Sequence, residues 1–453
     1  MKKSILVLLL FALSALCAQA QITGSGCALA PMKTPEGERM HCFVLHPLTG
    51  TFSIRIEAPA GSKLKKYAKA AADAVEVTSA THDGSAFVLA NPDTDCGYVV
   101  EKPSGLPDYY WLARYESAPL PQGTLTAEYD PNAPCERLLL RADTPFASWQ
   151  CYTPQGNVRT LERLFRIVYT DLTYDEAAHR FVPKETEASL PLRNEGLELF
   201  APLADTRFTL LGDQFTALLG INQPALESNL LPARRIELHA LYEIENNSAD
   251  SVANASKSAY GAPLKITMKA IANEPAAARF TWRIVSAQHT SAEAPLLFSA
   301  EGAETSYTFT QMGSYLISVE ALSRDGQCTA TDADYKIDIA ASRLEVPNAF
   351  TPFSSPGVND RFRVAHRSLT QFKGYIYNAW GKLLFSWDNP DEGWDGTFNG
   401  KPVPTGAYYY VITAKGADGV DYNLKGHLNI LATEWDAGTG EPLPADNLPT
   451  PIP

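Results

Sequence analysis

Past its first twenty residues the sequence has no uninterrupted apolar run approaching the ~18 residues of a membrane-spanning helix, so no such helix is expected there. Clustered basic charge is equally scarce. Net charge is −13, and the only dense basic run is Lys63, Lys65, Lys66 and Lys69, read as one solvated face, so nucleic acid is not an expected partner. The eight histidines are scattered without a His-Glu-x-x-His pair, and no two cysteines are closely spaced, so zinc lacks its usual ligand geometry. A Gly-rich phosphate loop and a Gly-x-Ser-x-Gly elbow are both missing, which removes the best markers of nucleotide and hydrolase chemistry. Triads assemble in space rather than in sequence, so spacing alone does not exclude one. The reading is nonetheless of a protein that is not an enzyme, with no cofactor and no metal.

What is present describes an exported chain of several folded domains. At about 100 to 200 residues per domain, 453 residues exceed one core. The composition, 45% hydrophobic and 10% aromatic, is ample for packing. Lys2 and Lys3, an apolar stretch over residues 5–16 and then Ala18-Gln19-Ala20 have the form of a signal peptide, with cleavage expected between Ala20 and Gln21. Cys17 raises a lipoprotein alternative, but Leu16 is bulky where lipidation needs a small residue. Cys27, Cys42, Cys96, Cys135, Cys151 and Cys328 then enter an oxidising compartment where disulfides persist. Cys135 with Cys151 is the favoured pair because both fall in one proposed domain, and Cys328, alone in its own, is read as free.

Short runs of alternating polarity punctuated by turn residues recur, whereas long helical periodicity is scarce, so the expected fold is all-β. Residues 43–45, 51–56, 87–89 and 109–112 suit a first sandwich over 21–130, with 63–74 as a short Ala/Lys-rich helix. Residues 137–141, 164–169, 197–200, 208–211 and 236–244 suit a second over 131–245. Residues 246–261 are small and polar and read as a linker. Within it Asp250-Ser251-Val252 resembles the acceptor that Bacteroidota O-glycosylate on exported proteins.

Three acidic or histidine clusters have bland alternatives. His41-Cys42 with His46 is read as surface histidine beside a disulfide cysteine. Asn91, Asp93 and Asp95 alternate like a calcium loop, but Cys96 stands where glycine is needed and Lys102 where a bidentate carboxylate is needed. Asp388, Asp391, Glu392 and Asp395 fit either a calcium loop or a solvated turn.

Residues 262–342 carry five legible strands. Phe280-Thr281-Trp282-Arg283-Ile284, then Tyr307-Thr308-Phe309 before Gly313-Ser314-Tyr315 and Ile317-Ser318-Val319, resemble the PKD and immunoglobulin-like class, which implies a core Trp between sheets and a Gly-x-Tyr corner. Alternation independently places Tyr315, Ile317 and Val319 on one strand face.

Residues 343–432 resemble the gliding motility-associated C-terminal domain, the type B sorting domain of the type IX secretion system, in several ordered blocks. These are Val346-Pro347-Asn348-Ala349-Phe350-Thr351-Pro352, then Gly357-Val358-Asn359-Asp360, then Tyr377-Asn378-Ala379-Trp380-Gly381-Lys382, then Trp394-Asp395-Gly396-Thr397 with Asn399-Gly400, then Thr405-Gly406-Ala407-Tyr408-Tyr409-Tyr410, and Lys425-Gly426-His427. Asn399-Gly400 is also a tight-turn signal in its own right. Period two puts Tyr408 and Tyr410 on one face and Tyr409 on the other.

The resemblance implies export by the signal peptide and passage across the outer membrane through recognition of this folded domain. The implied partners are the type IX translocon with its outer-membrane β-barrel helper proteins, and an unknown surface ligand is expected for the upstream sandwiches. The expected location is the cell surface or the medium, with a periplasmic or outer-membrane-associated accessory component as the alternative. Two departures stand out: Phe353-Ser354-Ser355-Pro356-Gly357 replaces the family's Asn-Gly-Asp-Gly, and residues 433–453 add an acidic, Pro-rich tail that composition predicts to be disordered.

Overall fold

The computed structural model describes residues 22–193, 196–222, 225–245, 259–274, 276–287, 295–352 and 359–431. Ala20 and Gln21, the Asp250-Ser251-Val252 acceptor, residues 353–357 and the tail 433–453 lie outside the described residues. The fold is all-β: among the described residues the only helical turns are two three-residue 3-10 turns, Ala71–Asp73 and Tyr115–Ser117. The chain divides into two compact units at Arg235 and Ile236.

The first unit begins with a sandwich. A four-stranded sheet (Ile22–Ser25, Ser53–Glu57, Ala86–Ala90, Thr81–His82) faces a six-stranded one ordered Cys27–Met32, His41–Pro47, Asp108–Arg114, Cys96–Glu101, Lys63–Tyr67, Val75–Glu76. The six-stranded sheet is buried on both sides. Leu45, Tyr98, Val100, Tyr110 and Leu112 pack toward the four-stranded sheet, while Cys42, Val44, Val99, Trp111 and Ala113 pack the other way. Two buried faces explain why Tyr110-Trp111-Leu112-Ala113 is a continuous apolar run rather than an alternating one.

Residues 63–74 do not form the expected helix. They give strand Lys63–Tyr67 followed by the turn Ala71–Asp73. Leu64 and Tyr67 are buried on opposite faces of the sheet, and Tyr67 lies flat over Gly97, where any Cβ would overlap its ring. Lys65 pairs with Glu101 at 2.6 Å, and Lys66 pairs with Asp93. The cross-strand partners, invisible locally, override the helix propensity of the Ala/Lys stretch.

The second sandwich is built on a sheet ordered Leu125–Tyr129, Arg137–Ala142, Gly196–Phe200, Arg180–Arg193, Leu164–Asp175, Phe208–Asp213, Leu226–Glu227. Its core residues Leu138, Leu140, Trp149, Phe165, Ile167, Leu197 and Phe208 belong to the same cluster as Trp111 and Val44 of the first sandwich. These two sandwiches are therefore not independent beads, because the outer face of one is the core of the other.

At the seam lies a buried ion pair. Arg163 and Asp213 have fully buried side chains 2.6 Å apart. The Arg163 guanidinium also donates to the Ala118 and Ala147 carbonyls at 2.7 and 2.9 Å and lies 4.5 Å over the Trp149 ring. Asp213 accepts from the Phe215 and Thr216 amides and from the Tyr115 hydroxyl. Full satisfaction is what allows a charge pair here.

The Cys135–Cys151 expectation is corrected. Cys151 is a free, fully buried thiol, and Cys135 is disulfide-bonded, as is Cys328, which was read as free. Sharing a proposed domain is no measure of distance: Cys151 points into the core shared by the two sandwiches, whereas Cys135 precedes strand Arg137–Ala142 at its outer end.

In the second unit, a sheet of Leu238–Ile244, Leu264–Ala272 and Glu304–Phe309 packs on one of Leu296–Glu301, Ala277–Ser286, Gly313–Ser323 and Thr329–Thr331, with Tyr335–Ile339 also on Gly313–Ser323. Strand Leu238–Ile244 pairs with Leu264–Ala272, so it joins this sandwich rather than the preceding one. Trp282 is fully buried between the sheets and donates to the Gly302 carbonyl at 3.1 Å. The Tyr315 hydroxyl donates to the Gln311 carbonyl at 3.0 Å, making the corner before Gly313–Ser323, and Tyr315, Ile317 and Val319 all face the core.

The last sheet, ordered Ala349–Phe350, Asp421–Ile430, Gly406–Gly416, Leu369–Tyr377, Leu383–Trp387, buries one face against an aromatic cluster of Phe350, Phe362, Trp387, Trp394 and Tyr408. Trp394 donates to the Thr397 carbonyl at 2.8 Å, and Tyr408 donates to the Pro404 carbonyl at 2.7 Å.

Candidate functional site

The ordered blocks of residues 344–430 divide into scaffold and surface. Phe350, Trp394, Tyr408 and Tyr410 form the cluster beneath the sheet. Pro352 seats against Gly396, where a Cβ would come within 2.8 Å of it. The Asn348 carbonyl receives the Asn429 amide at 2.9 Å, and the Asn359 carbonyl receives the Thr351 amide at 2.9 Å, so the first two blocks tie down the strand that opens the domain. Asp395 accepts from the Thr397 amide and hydroxyl at 3.0 and 2.8 Å. Asn399 and Gly400 hold positive φ of 53° and 74° between Phe398 and Lys401, the tight-turn geometry that favours this pair. Gly426 lies under the Tyr410 ring, where a side chain would meet its hydroxyl at 2.4 Å.

The acidic loop does not gather a cation site. Asp391 accepts from His366, Asp395 is occupied with Thr397, and among the described residues no group of three or more His, Cys, Asp or Glu side chains could hold a metal. His46 pairs with Glu116 at 2.5 Å, Asp93 pairs with Lys66, and Asp95 accepts from Arg114 and Ser117.

The opposite face of the sheet is open. Register places Tyr377, Tyr409 and His427 in one row across three strands, and Tyr375, Val411 and Lys425 in the next. Tyr375 and Tyr377 stack at 6.4 Å, Tyr409 is half exposed, and Lys425, His427 and Lys373 are exposed. In a strongly acidic chain this is an aromatic and basic surface.

The hairpin joining Leu369–Tyr377 to Leu383–Trp387 extends that surface. The Asn378 side chain accepts from the Trp380 and Lys382 amides at 3.1 and 2.9 Å, and Gly381 takes a φ of 76°. This fixed turn projects Trp380, which is 89% exposed, while Lys382 lies 4.6 Å over the Phe398 ring. A rigid turn that holds a bare indole in water lacks a folding rationale, since burying a Trp contributes to stability and exposing one does not.

The domain is pinned where it begins. The Asp418 carboxylate accepts from the Ser342 amide and hydroxyl at 2.9 and 2.7 Å. Burial raises its pKa, but the Ser342 bonds and the Val420 amide outweigh burial and hold it below the usual carboxylate range. On the second sandwich, a groove of about 360 Å³ is lined by Tyr169, Leu190, Leu199 and Phe200 with Arg137, Arg193 and Glu198 at its rim.

Sequence reasoning found the scaffold residues of the last domain and grouped Trp380 and Lys425 among them without separating their roles. The outer face became apparent only from register and exposure. Tyr375 and Val411 fall within the matched strands of the last domain and Lys373 just before them, but nothing local marks any of the three as facing outward.

Comparison with known proteins bears on two segments. Residues 344–430 match the CHU_C Type IX secretion signal domain, and residues 126–228 match the Fn3_FA fibronectin type III domain. No curated protein sequence matches the chain. Similar solved structures include a tetra-tandem repeat in the extending region of a large adhesion protein (12% identity, 90% of this chain and 100% of that one, TM-score 0.18). A Ca2+-stabilized adhesin of an Antarctic bacterium (10%, 90% and 99%, 0.19) and dimeric latent PorU from Porphyromonas gingivalis (11%, 72% and 35%, 0.15) are also similar. At these scores the overlaps decide nothing about this chain. The family matches do: this is an all-β protein with a fibronectin type III domain and, at residues 344–430, a type IX secretion signal domain, which implies export by that system.

Proposed function

We propose that the protein is a non-catalytic binding protein of the cell surface or the surrounding medium. In this reading its C-terminal sheet is the address recognised by the type IX translocon and its outer-membrane β-barrel helpers, and the upstream sandwiches bind a surface ligand, as in adhesion. The observation that carries the reading is the open face of Tyr375, Tyr377, Tyr409, Lys425 and His427 continued by the bare Trp380. Aromatic and cationic side chains on a rigid sheet present large contact area at low conformational cost, the composition of binding hot spots. The recognised domain types, a sandwich of the fibronectin class and a secretion signal, support a role in binding rather than catalysis.

Protease shaving of intact cells tests location: fragments from upstream of residue 343 should be released into the medium. Complete protection, together with co-purification with outer-membrane barrels, would favour an accessory component on the periplasmic side.

A further inference from the structure

Six thiols allow many pairings, but the first unit brings two free ones together. Cys42 lies on strand His41–Pro47 of the first sandwich and Cys151 on strand Gln150–Tyr152 of the second. Both are buried, at 2% and 0% exposure, within the core that the two sandwiches share, and their thiols meet there. The surroundings fix the approach. Cys42 is opposite Trp111 in the parallel pairing of His41–Pro47 with Asp108–Arg114, and the Trp111 ring packs 6.1 Å from the ring of Tyr152, the neighbour of Cys151. The Tyr67 hydroxyl reaches the Tyr152 carbonyl at 3.4 Å from the same side. The other two free cysteines are engaged elsewhere: the Cys27 thiol points at the Ser53 carbonyl and the Cys96 thiol at the Asp93 carbonyl.

We propose that Cys42 and Cys151 become a disulfide during folding after export, covalently joining the first sandwich to the second. This rests on the export implied by the C-terminal domain, because such bonds persist in oxidising compartments and not in the cytosol. The chemistry balances as thiol–disulfide exchange with a disulfide oxidant. One thiolate of the pair attacks the oxidant's S–S bond, and the second displaces the oxidant's remaining thiolate. One protein S–S bond forms, the oxidant leaves as two thiols, and two electrons pass to it. Both sulfurs are sealed from water in the closed core, so oxidation belongs to the stage before the two sandwiches close on each other.

The test refolds the full chain from denaturant with glutathione disulfide as oxidant. The sample is quenched in acid, alkylated under unfolding conditions and mapped by peptide mass spectrometry. The expected product is a peptide joining Cys42 to Cys151, with Cys27 and Cys96 alkylated. Alkylation of both Cys42 and Cys151 in a sample whose Cys135 has become oxidised would overturn the proposal, because the oxidised Cys135 shows that the conditions sufficed. A Cys151→Ala variant guards against a folding artefact. It should refold, leave Cys42 alkylated and melt several degrees below the oxidised parent. An unchanged melting temperature would count against a cross-link that holds the sandwiches together. The same map made on protein recovered from the cell envelope separates failure of the pair from failure of export: reduced cysteines throughout would contradict the exported state, whereas oxidation at Cys135 alone would contradict the pair.

Discussion

Trp380 is the residue on which the functional reading turns, and its prediction follows from its 89% exposure. Trp380→Ala removes no core contact, so unfolding stability should stay within about 0.5 kcal/mol of the parent, while the amount of protein reaching the cell surface should fall. Quantitative surface labelling with a parallel urea melt separates the two effects. Arg163 is the opposite case. Arg163→Ala strands the Asp213 carboxylate in the shared core and should cost about 3–5 kcal/mol in denaturant unfolding of the first unit.

Neither the ion pair nor its neighbours could be read from the sequence. Arg163 and Asp213 lie far apart along the chain, and nothing local marks either as buried. Trp282 and Trp394, by contrast, could be recognised because each stands in a block that resembles a known domain class, the immunoglobulin-like one for Trp282 and the sorting domain for Trp394. Tyr115, which bonds Asp213, has its pKa pushed up to about 12, by burial first and then by the Asp213 charge. Its folded value lies above the unfolded one, so its contribution is complete below about pH 10 and is lost as pH rises through 12. Tyr115→Phe should flatten that part of the alkaline unfolding curve. An unchanged slope between pH 10 and 12 would remove Tyr115 from the account.

At the scale of elements, period-two alternation was informative wherever a sheet has one wet side. Tyr408 and Tyr410 face the core and Tyr409 the solvent because strand Gly406–Gly416 separates the aromatic cluster from water. Where both sides of a sheet are dry, as at Tyr110 to Ala113, the strand was legible but its second buried face was not, and propensity misled at residues 63–74, where pairing with Cys96–Glu101 decided the outcome. Strand Leu238–Ile244 was assigned to the wrong neighbour for the same reason, since which sheet a strand joins is a long-range property. The strand Asp421–Ile430 offers a direct test of close packing. Gly426→Val places a side chain against the Tyr410 ring and should destabilise the C-terminal domain by about 1–3 kcal/mol, read by urea unfolding of the full chain.

Across the whole molecule, the sequence pattern suggested separate sandwiches in series, and the first two proved to share one core. Sharing has a physical signature: a sheet apolar on both faces cannot end a soluble fragment. A chain stopped after residue 120 should expose Val44, Trp111 and Val99 and either bind a hydrophobic dye strongly or precipitate, whereas a chain stopped after residue 235 should not. The last domain differs, with its dry face closed by its own aromatic cluster and its other face free for a partner. That division between a self-sufficient interior and an unclaimed exterior is the basis for reading it as an address. The measurement that bears most directly on this claim is the location of the chain in cells, with and without residues 343–453. The intact protein should be found at the surface or in the medium and the truncated one, equally folded upstream, in the periplasm; identical distributions would contradict the account.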